Sequence, residues 1–175
     1  MSAIHDYKRP WHVAEAAARV REAGAPVALE FVGPPYAPSM ARLTAAIERF
    51  DPRGAFITVT PGVAHGELVQ RYRSADAFVF ASTCENMPNS LLEAMAAGLP
   101  IACSDREPMT GILQDAGVYF DPESPASIAA AMDRLMADAA LRAGSSAAAH
   151  ARAEPYDWAR CARDTFDFLA RVRAA

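Results

Sequence analysis

Lysine is almost missing from this chain. Of its 17 basic residues only Lys8 is a lysine, so one ammonium stands where every other cation is a guanidinium. A positive excess is missing too: the formal net charge is −4, which argues against a nucleic-acid surface built on a basic stripe. Cysteine is sparse. Cys84, Cys103 and Cys161 are odd in number and show no CxxC spacing, so neither a disulfide framework nor a metal site is expected, and the thiols read as reduced. No apolar run reaches the length of a transmembrane helix and the amino terminus carries no secretory segment, so the chain is expected to be soluble and cytoplasmic. There is no internal repeat and no linker. What is present suits one domain, because 175 residues at 52% hydrophobic content are ample for a single core.

The stretch Ala77 to Asp105, AFVFASTCENMPNSLLEAMAAGLPIACSD, organises the rest. An apolar run of strand type, Ala77 to Ala81, reaches a polar loop holding Glu85. The chain turns through Pro88 and Asn89 into a helix carrying Glu93, which Gly98 and Pro100 close before a second strand, Ile101 to Ser104. Strand, helix, strand with short connections is a parallel crossover, and its loop opens at the carboxyl edge of the sheet, where ligands bind. The first N–H groups of a helix lack partners and carry partial positive charge, so this helix start suits a phosphate. Ser90 and Glu93 also fit a capping box, SxxE, in which the glutamate serves only a backbone N–H.

With seven residues between Glu85 and Glu93, ENMPNSLLEAMAAGLPIACSD resembles the ExxxxxxxE signature of retaining glycosyltransferases of the GT-B type, group 1, family 4. The resemblance covers nearly the whole chain. It implies one Rossmann-like α/β domain, a doubly wound parallel sheet with helices on both faces, equivalent to the carboxyl-terminal half of a GT-B enzyme. It implies that Glu93 holds ribose, that Met87 and Pro88 of the turn border the donor, that Asn89, Ser90 and Leu91 at the helix entrance present N–H groups to phosphate, and that Glu85, the catalytic candidate, faces the transferred sugar.

Elsewhere the pattern stays in register. IHDYKRP, Ile4 to Pro10, is a loop leading into a helix with Pro10 at its first position and Gly24 past its end, its apolar stripe being Val13, Ala14, Ala17 and Val20. Lys8 matches the family's phosphate-binding lysine. The arginine often found five residues earlier is Ala3 here, with Arg9 as the substitute, and only Met1 to Ile4 stand where relatives have a full first strand, so the chain reads as cut at its amino end. VALEFVG, Val27 to Gly33, is a strand, Ser39 to Phe50 an amphipathic helix, and Ala55 to Thr60 the next strand. TPGVAHG resembles the family's nucleobase loop, with Gly62 and Val63 at the matching positions and His65 as a helix-start residue. Thr110 and Gly111 depart from the family's proline and glutamate, and Asp105 and Arg106 read as a loop salt bridge. Ala126 to Ala153 is helical in composition, with Ser124 and Pro125 opening a helix. Tyr156 to Val172 is a closing helix whose Trp158, Cys161, Ala162, Thr165, Phe166 and Leu169 share one face, read as core; in relatives it crosses back toward the other domain.

The implied activity is transfer of a hexosyl group from a nucleoside diphosphate sugar, with retention, to a glycan or lipid-linked acceptor, in the building of a surface polysaccharide. No cofactor or metal is implied. The implied partners are the nucleotide sugar, an amino-terminal GT-B domain outside this sequence and the acceptor, with peripheral membrane association of the full enzyme. Because that other domain supplies the acceptor site, the chain alone is not expected to catalyse transfer. Two other readings stay open: a nucleotide-sugar-binding module without turnover, and a sugar-nucleotide epimerase-like domain, which product analysis would separate.

Overall fold

A computed structural model describes residues 3–174. Five short parallel strands alternate with helices: α1 (Pro10–Glu22), β1 (Leu29–Val32), α2 (Ala37–Phe50), β2 (Ile57–Thr60), α3 (His65–Ser74), β3 (Phe78–Phe80), α4 (Asn89–Ala96), β4 (Ile101–Ser104), α5 (Met109–Leu113), β5 (Gly117–Phe120), α6 (Pro125–Ala137), α7 (Ala139–Ala153) and α8 (Trp158–Ala174). A 3₁₀ turn, Asp6–Lys8, precedes them. No described helix is long and apolar enough to cross a membrane.

The strands pair in two ladders, β1 with β2 and β3 with β4 and β5, all parallel. Between the two pieces runs the segment around Ile4, which makes one parallel bridge to Pro35. Its N–H donates to Pro34 O at 3.0 Å and its carbonyl accepts from Tyr36 N–H at 3.3 Å. Contact there is by single residues, so the two ladders are not joined into one. The expected first strand includes Met1 and Ser2, which lie outside the described residues.

One core nevertheless spans both pieces. Val13, Ala17 and Val20 of α1 and Ile128, Met132 and Leu135 of α6 bury one face together with Ala102, Val118 and Phe120, and Leu29 and Phe31 of β1 pack against the same cluster. Leu43 of α2 extends this layer over Ile57. On the opposite face Tyr72, Leu91, Met95, Ile112, Leu113 and Ala149, from α3, α4, α5 and α7, cover Phe80, Ile101 and Cys103. All of β4 is buried, as a parallel strand covered on both faces must be.

Local chemistry sets most element ends. Pro10 opens α1, and Ser124 accepts from Ser127 N–H at 3.2 Å ahead of Pro125. Gly98 closes α4 at φ 69°, where its N–H bonds Met95 O and Leu99 N–H bonds Ala94 O. The alanine-rich stretch is two helices, broken at Asp138, whose side chain caps α7 by accepting from Leu141 N–H at 2.8 Å. The reading of the closing helix as core is overturned: Trp158 is 82% exposed, Phe166 70% and Leu169 53%. Periodicity identifies an apolar face, but no described element is packed against it.

Candidate functional site

The 3₁₀ turn docks at the carboxyl edge of β3. Thr83, just past β3, donates its N–H to Tyr7 O at 2.7 Å and its hydroxyl to the same oxygen at 3.1 Å. This fastening carries Lys8 over the polar loop, where its Nζ lies 2.5 Å from Glu85 Oε1. The Tyr7 and Phe80 rings flank the ammonium at 5.1 and 5.2 Å from their centroids. Both charged side chains are largely withdrawn from solvent, 16% and 13% exposed. The Tyr7 phenol is pushed above its ordinary range by burial first, then by the Glu85 carboxylate and Cys84.

α4 begins beside this pair. Its N-cap is Pro88, with no side-chain cap, so the capping-box alternative for Ser90 and Glu93 does not hold: the helix starts two residues too early for Ser90 to be its cap. Glu93 Oε2 instead accepts from the hydroxyl of Tyr72, on α3, at 2.8 Å. Burial above all, then the Glu93 charge and that hydrogen bond, raises the Tyr72 phenol far above its usual range, so it remains a donor. The three N–H groups expected to face phosphate are unequal. Asn89 N–H bonds Met87 O and Leu91 N–H bonds Pro88 O, both at 2.9 Å, while among the described residues Ser90 N–H has no partner. Tyr7, Lys8, Glu85, Met87, Asn89, Ser90 and Glu93 together line a cavity of about 230 Å³. Five of the residues singled out along the 85–93 motif therefore converge with Lys8 on one small polar cavity, with Pro88 and Leu91 buried behind it.

The sequence matches the family described as "Glycosyl transferases group 1" over residues 1–152. This chain belongs to the group 1 glycosyltransferases. It is 30% identical over 101 residues to the Escherichia coli O-antigen chain mannosyltransferase B, a match covering 58% of this chain and 26% of that protein. Its fold superimposes on Anabaena HepE, solved in complex with UDP and glucose, with a TM-score of 0.81 at 17% identity over 97% of this chain and 47% of that one. A carboxyl-terminal domain of a group 1 glycosyltransferase (LpcC) from Francisella tularensis matches with a TM-score of 0.77 at 21% identity, covering 89% of this chain and 82% of that one. The group 1 chain thus has the Rossmann-like fold of a carboxyl-terminal GT-B domain, and it spans about a quarter of the curated relative and about half of the longer solved one.

Not every predicted residue of this group 1 domain reaches the cavity. Arg9, placed in the left-handed region at φ 46° by the turn into Pro10, sends its guanidinium to Glu123: Nη2 lies 2.6 Å from Oε1 and Nε 3.0 Å from it, while Nη1 bonds Asp6 O. Those hydrogen bonds, more than burial opposes them, hold the Glu123 carboxyl below its usual range. The guanidinium expected on phosphate is engaged elsewhere, by a residue 114 positions away. Gly62 and Val63 lie in the loop after β2, where Gly62 neighbours Pro34, outside the cavity lining. Arg106 pairs with Asp105 and, at 2.9 Å, with Asp121, the loop salt bridge expected. His65 opens α3. Thr110 donates to Glu107, whose carboxylate also accepts from Gly111 N–H at 3.2 Å, so that departure from the family motif is a closed local network.

A larger hollow of about 1010 Å³ lies beneath α8 and shares Met87, Asn89 and Glu93 with the small cavity. The ion pair among its lining residues, Arg160 with Asp164 at 3.6 Å, lies within α8 and is solvent-exposed, unlike the withdrawn Lys8–Glu85 pair. The small cavity is the candidate site. Among the described residues no cluster of His, Cys, Asp or Glu is arranged to hold a metal ion. Tyr72 was missed by sequence reasoning. The available signal was the four-residue spacing of Leu68 and Tyr72 in ELVQRYRS, which puts both on one face of the helix and so toward the core.

Proposed function

We propose that this chain is the donor-binding domain of a retaining glycosyltransferase that moves a hexosyl group from a nucleoside diphosphate sugar to a glycan or lipid-linked acceptor. The observation that carries this reading is the convergence of Lys8, Glu85, Ser90 and Glu93 on one cavity at the start of α4. Each supplies what a donor requires. The ammonium and the helix start meet the diphosphate, which leaves with the electron pair of the broken anomeric bond, and preorganised positive charge at that point lowers the barrier without reorganisation. Glu93 accepts from ribose hydroxyls. Glu85 faces the sugar, whose anomeric carbon takes the acceptor oxygen on the face the diphosphate left, while the acceptor hydroxyl passes its proton to an oxygen of the departing diphosphate. Gly62 and Val63 are proposed to border the base on the same carboxyl edge, and Arg9, held by Glu123, drops out of the phosphate set.

The relatives support this assignment: one is a mannosyltransferase acting on the O-antigen chain, and a protein of the same fold was solved with UDP and glucose. The amino-terminal GT-B domain of the full enzyme is the proposed partner for the exposed apolar face of α8, and it would bring the acceptor site.

Calorimetric titration of the chain with UDP and GDP, with and without EDTA, tests the reading. Binding of at least one diphosphate that survives chelation is expected, because the positive charge is built into Lys8 and the helix start. Binding lost on chelation would overturn the metal-free part, and no binding of either nucleotide would overturn the donor-domain assignment.

A further inference from the structure

Tyr72 is the only buried residue of α3, at 4% exposure, and it is not spent on packing alone. Its ring rests against Phe78, with centroids 5.8 Å apart, and its hydroxyl emerges at the base of α4, 2.8 Å from Glu93 Oε2 and 3.3 Å from Ser90 O. A phenol has one proton to donate. The shorter contact and the charged acceptor take it, since hydrogen bonds to an ionised acceptor are the stronger ones. Glu93 itself is exposed and lines the cavity, and without Tyr72 its flexible side chain would be free to swing in solvent. Among the described residues Tyr72 is its one hydrogen-bond donor, and Oε1 has none.

We propose that Tyr72 is the positioning residue of the donor site: its hydroxyl pins Glu93 Oε2 and thereby leaves Oε1 aimed into the cavity as an acceptor that selects a ligand with free ribose hydroxyls. The inference rests on the donor-domain reading and deepens it, because it assigns to an α3 side chain outside the 85–93 motif the discrimination between ribose and a sugar lacking those hydroxyls. An acceptor-only group rejects a ligand that cannot donate, and it does so sharply only when it is held in place. Tyr72 suits this duty because burial keeps it protonated, so its proton is always available to the carboxylate.

The test compares UDP with 2′,3′-dideoxy-UDP, and GDP with its dideoxy counterpart, by calorimetry on the full chain carrying Tyr72→Phe, Glu93→Gln, both, or neither. Phenylalanine keeps the ring and its packing. Tyr72→Phe is expected to weaken the ribonucleotide by about three- to ten-fold, the worth of one rotamer-rich side chain that must then be ordered on binding, and to leave the dideoxy ligand unchanged. In the Glu93→Gln background the same substitution should cost less. Leu68→Ala, on the same helix and against the same core cluster, is the packing control and should lower the melting temperature without changing the preference for ribose. Wild-type affinity for the ribonucleotide in Tyr72→Phe, or equal losses for ribo and dideoxy ligands, would overturn the positioning role while the donor-domain reading stands. Failure of the wild-type chain to bind UDP or GDP would overturn both.

Discussion

Lys8 and Glu85 make a prediction with opposite signs for the two partners. Their contact at 2.5 Å, with 16% and 13% of the side chains exposed, is a mostly buried ion pair, and in the resting protein the carboxylate neutralises the ammonium. An arriving diphosphate must take Lys8 from Glu85 or share it. Two unit charges about 4 Å apart at an effective dielectric of about 20 interact by about 4 kcal/mol, before the cost of desolvation. Lys8→Ala removes that attraction and leaves an unpaired carboxylate beside the phosphates, so UDP or GDP affinity should fall by about 2–4 kcal/mol, roughly thirty- to a thousand-fold. Glu85→Gln removes the competitor for Lys8 and should tighten the same nucleotide by about 1 kcal/mol, roughly five-fold. The double variant should recover part of the Lys8→Ala loss, because the two sites touch and their effects cannot add. Calorimetry at low and high salt reads all three, with the Lys8 effect shrinking as salt rises. If Glu85→Gln weakens nucleotide binding as Lys8→Ala does, the carboxylate does not compete with phosphate and the electrostatic account of the cavity is wrong.

Two further outcomes follow from the scaffold. Asp51 is buried at 4% exposure and accepts from the N–H groups of Ala55, Phe56 and Ile57 at 2.7, 2.9 and 2.8 Å. Burial works to raise its carboxyl, but those bonds together with Arg21 outweigh it and hold it below the usual aspartate range. Its contribution is therefore complete above the unfolded-state value of about 4 and is lost as pH falls through the lower folded value. Asp51→Asn should cost about 1–2 kcal/mol at neutral pH and flatten the acid limb of the melting curve; an unchanged acid limb in thermal melts would refute this. Removal of the chain from Trp158 onward deletes a helix with no buried side chain among its described residues, so the melting temperature should move by no more than about 2 °C, and a drop beyond about 5 °C would mean that α8 packs on the body.

What the sequence determined by itself was chemistry read at short range. Pro10, Ser124 with Pro125, and Gly98 mark helix ends because a fixed φ, a side-chain acceptor and a tolerance for positive φ act on the adjacent backbone alone. The strand–turn–helix at Ala77 to Asp105 was legible for the same reason, and with it the carboxyl-edge placement of Glu85 and Glu93. Asp138 offered an equally local signal, an acceptor ahead of Leu141 N–H, but alanine-rich sequence on either side concealed it, since composition alone favours an unbroken helix. Tertiary structure decided everything that joins distant positions. Lys8 meets Glu85 across 77 residues and Arg9 is drawn to Glu123 across 114, and neither partner choice has a local signature, because any carboxylate brought near would serve. Tyr72 lies 21 positions from Glu93 and joins it only because α3 and α4 cover the same face of the sheet. For α8 the period of its apolar residues fixed which side is apolar, yet burial is a property of the surface opposite, and that surface is not encoded in the helix.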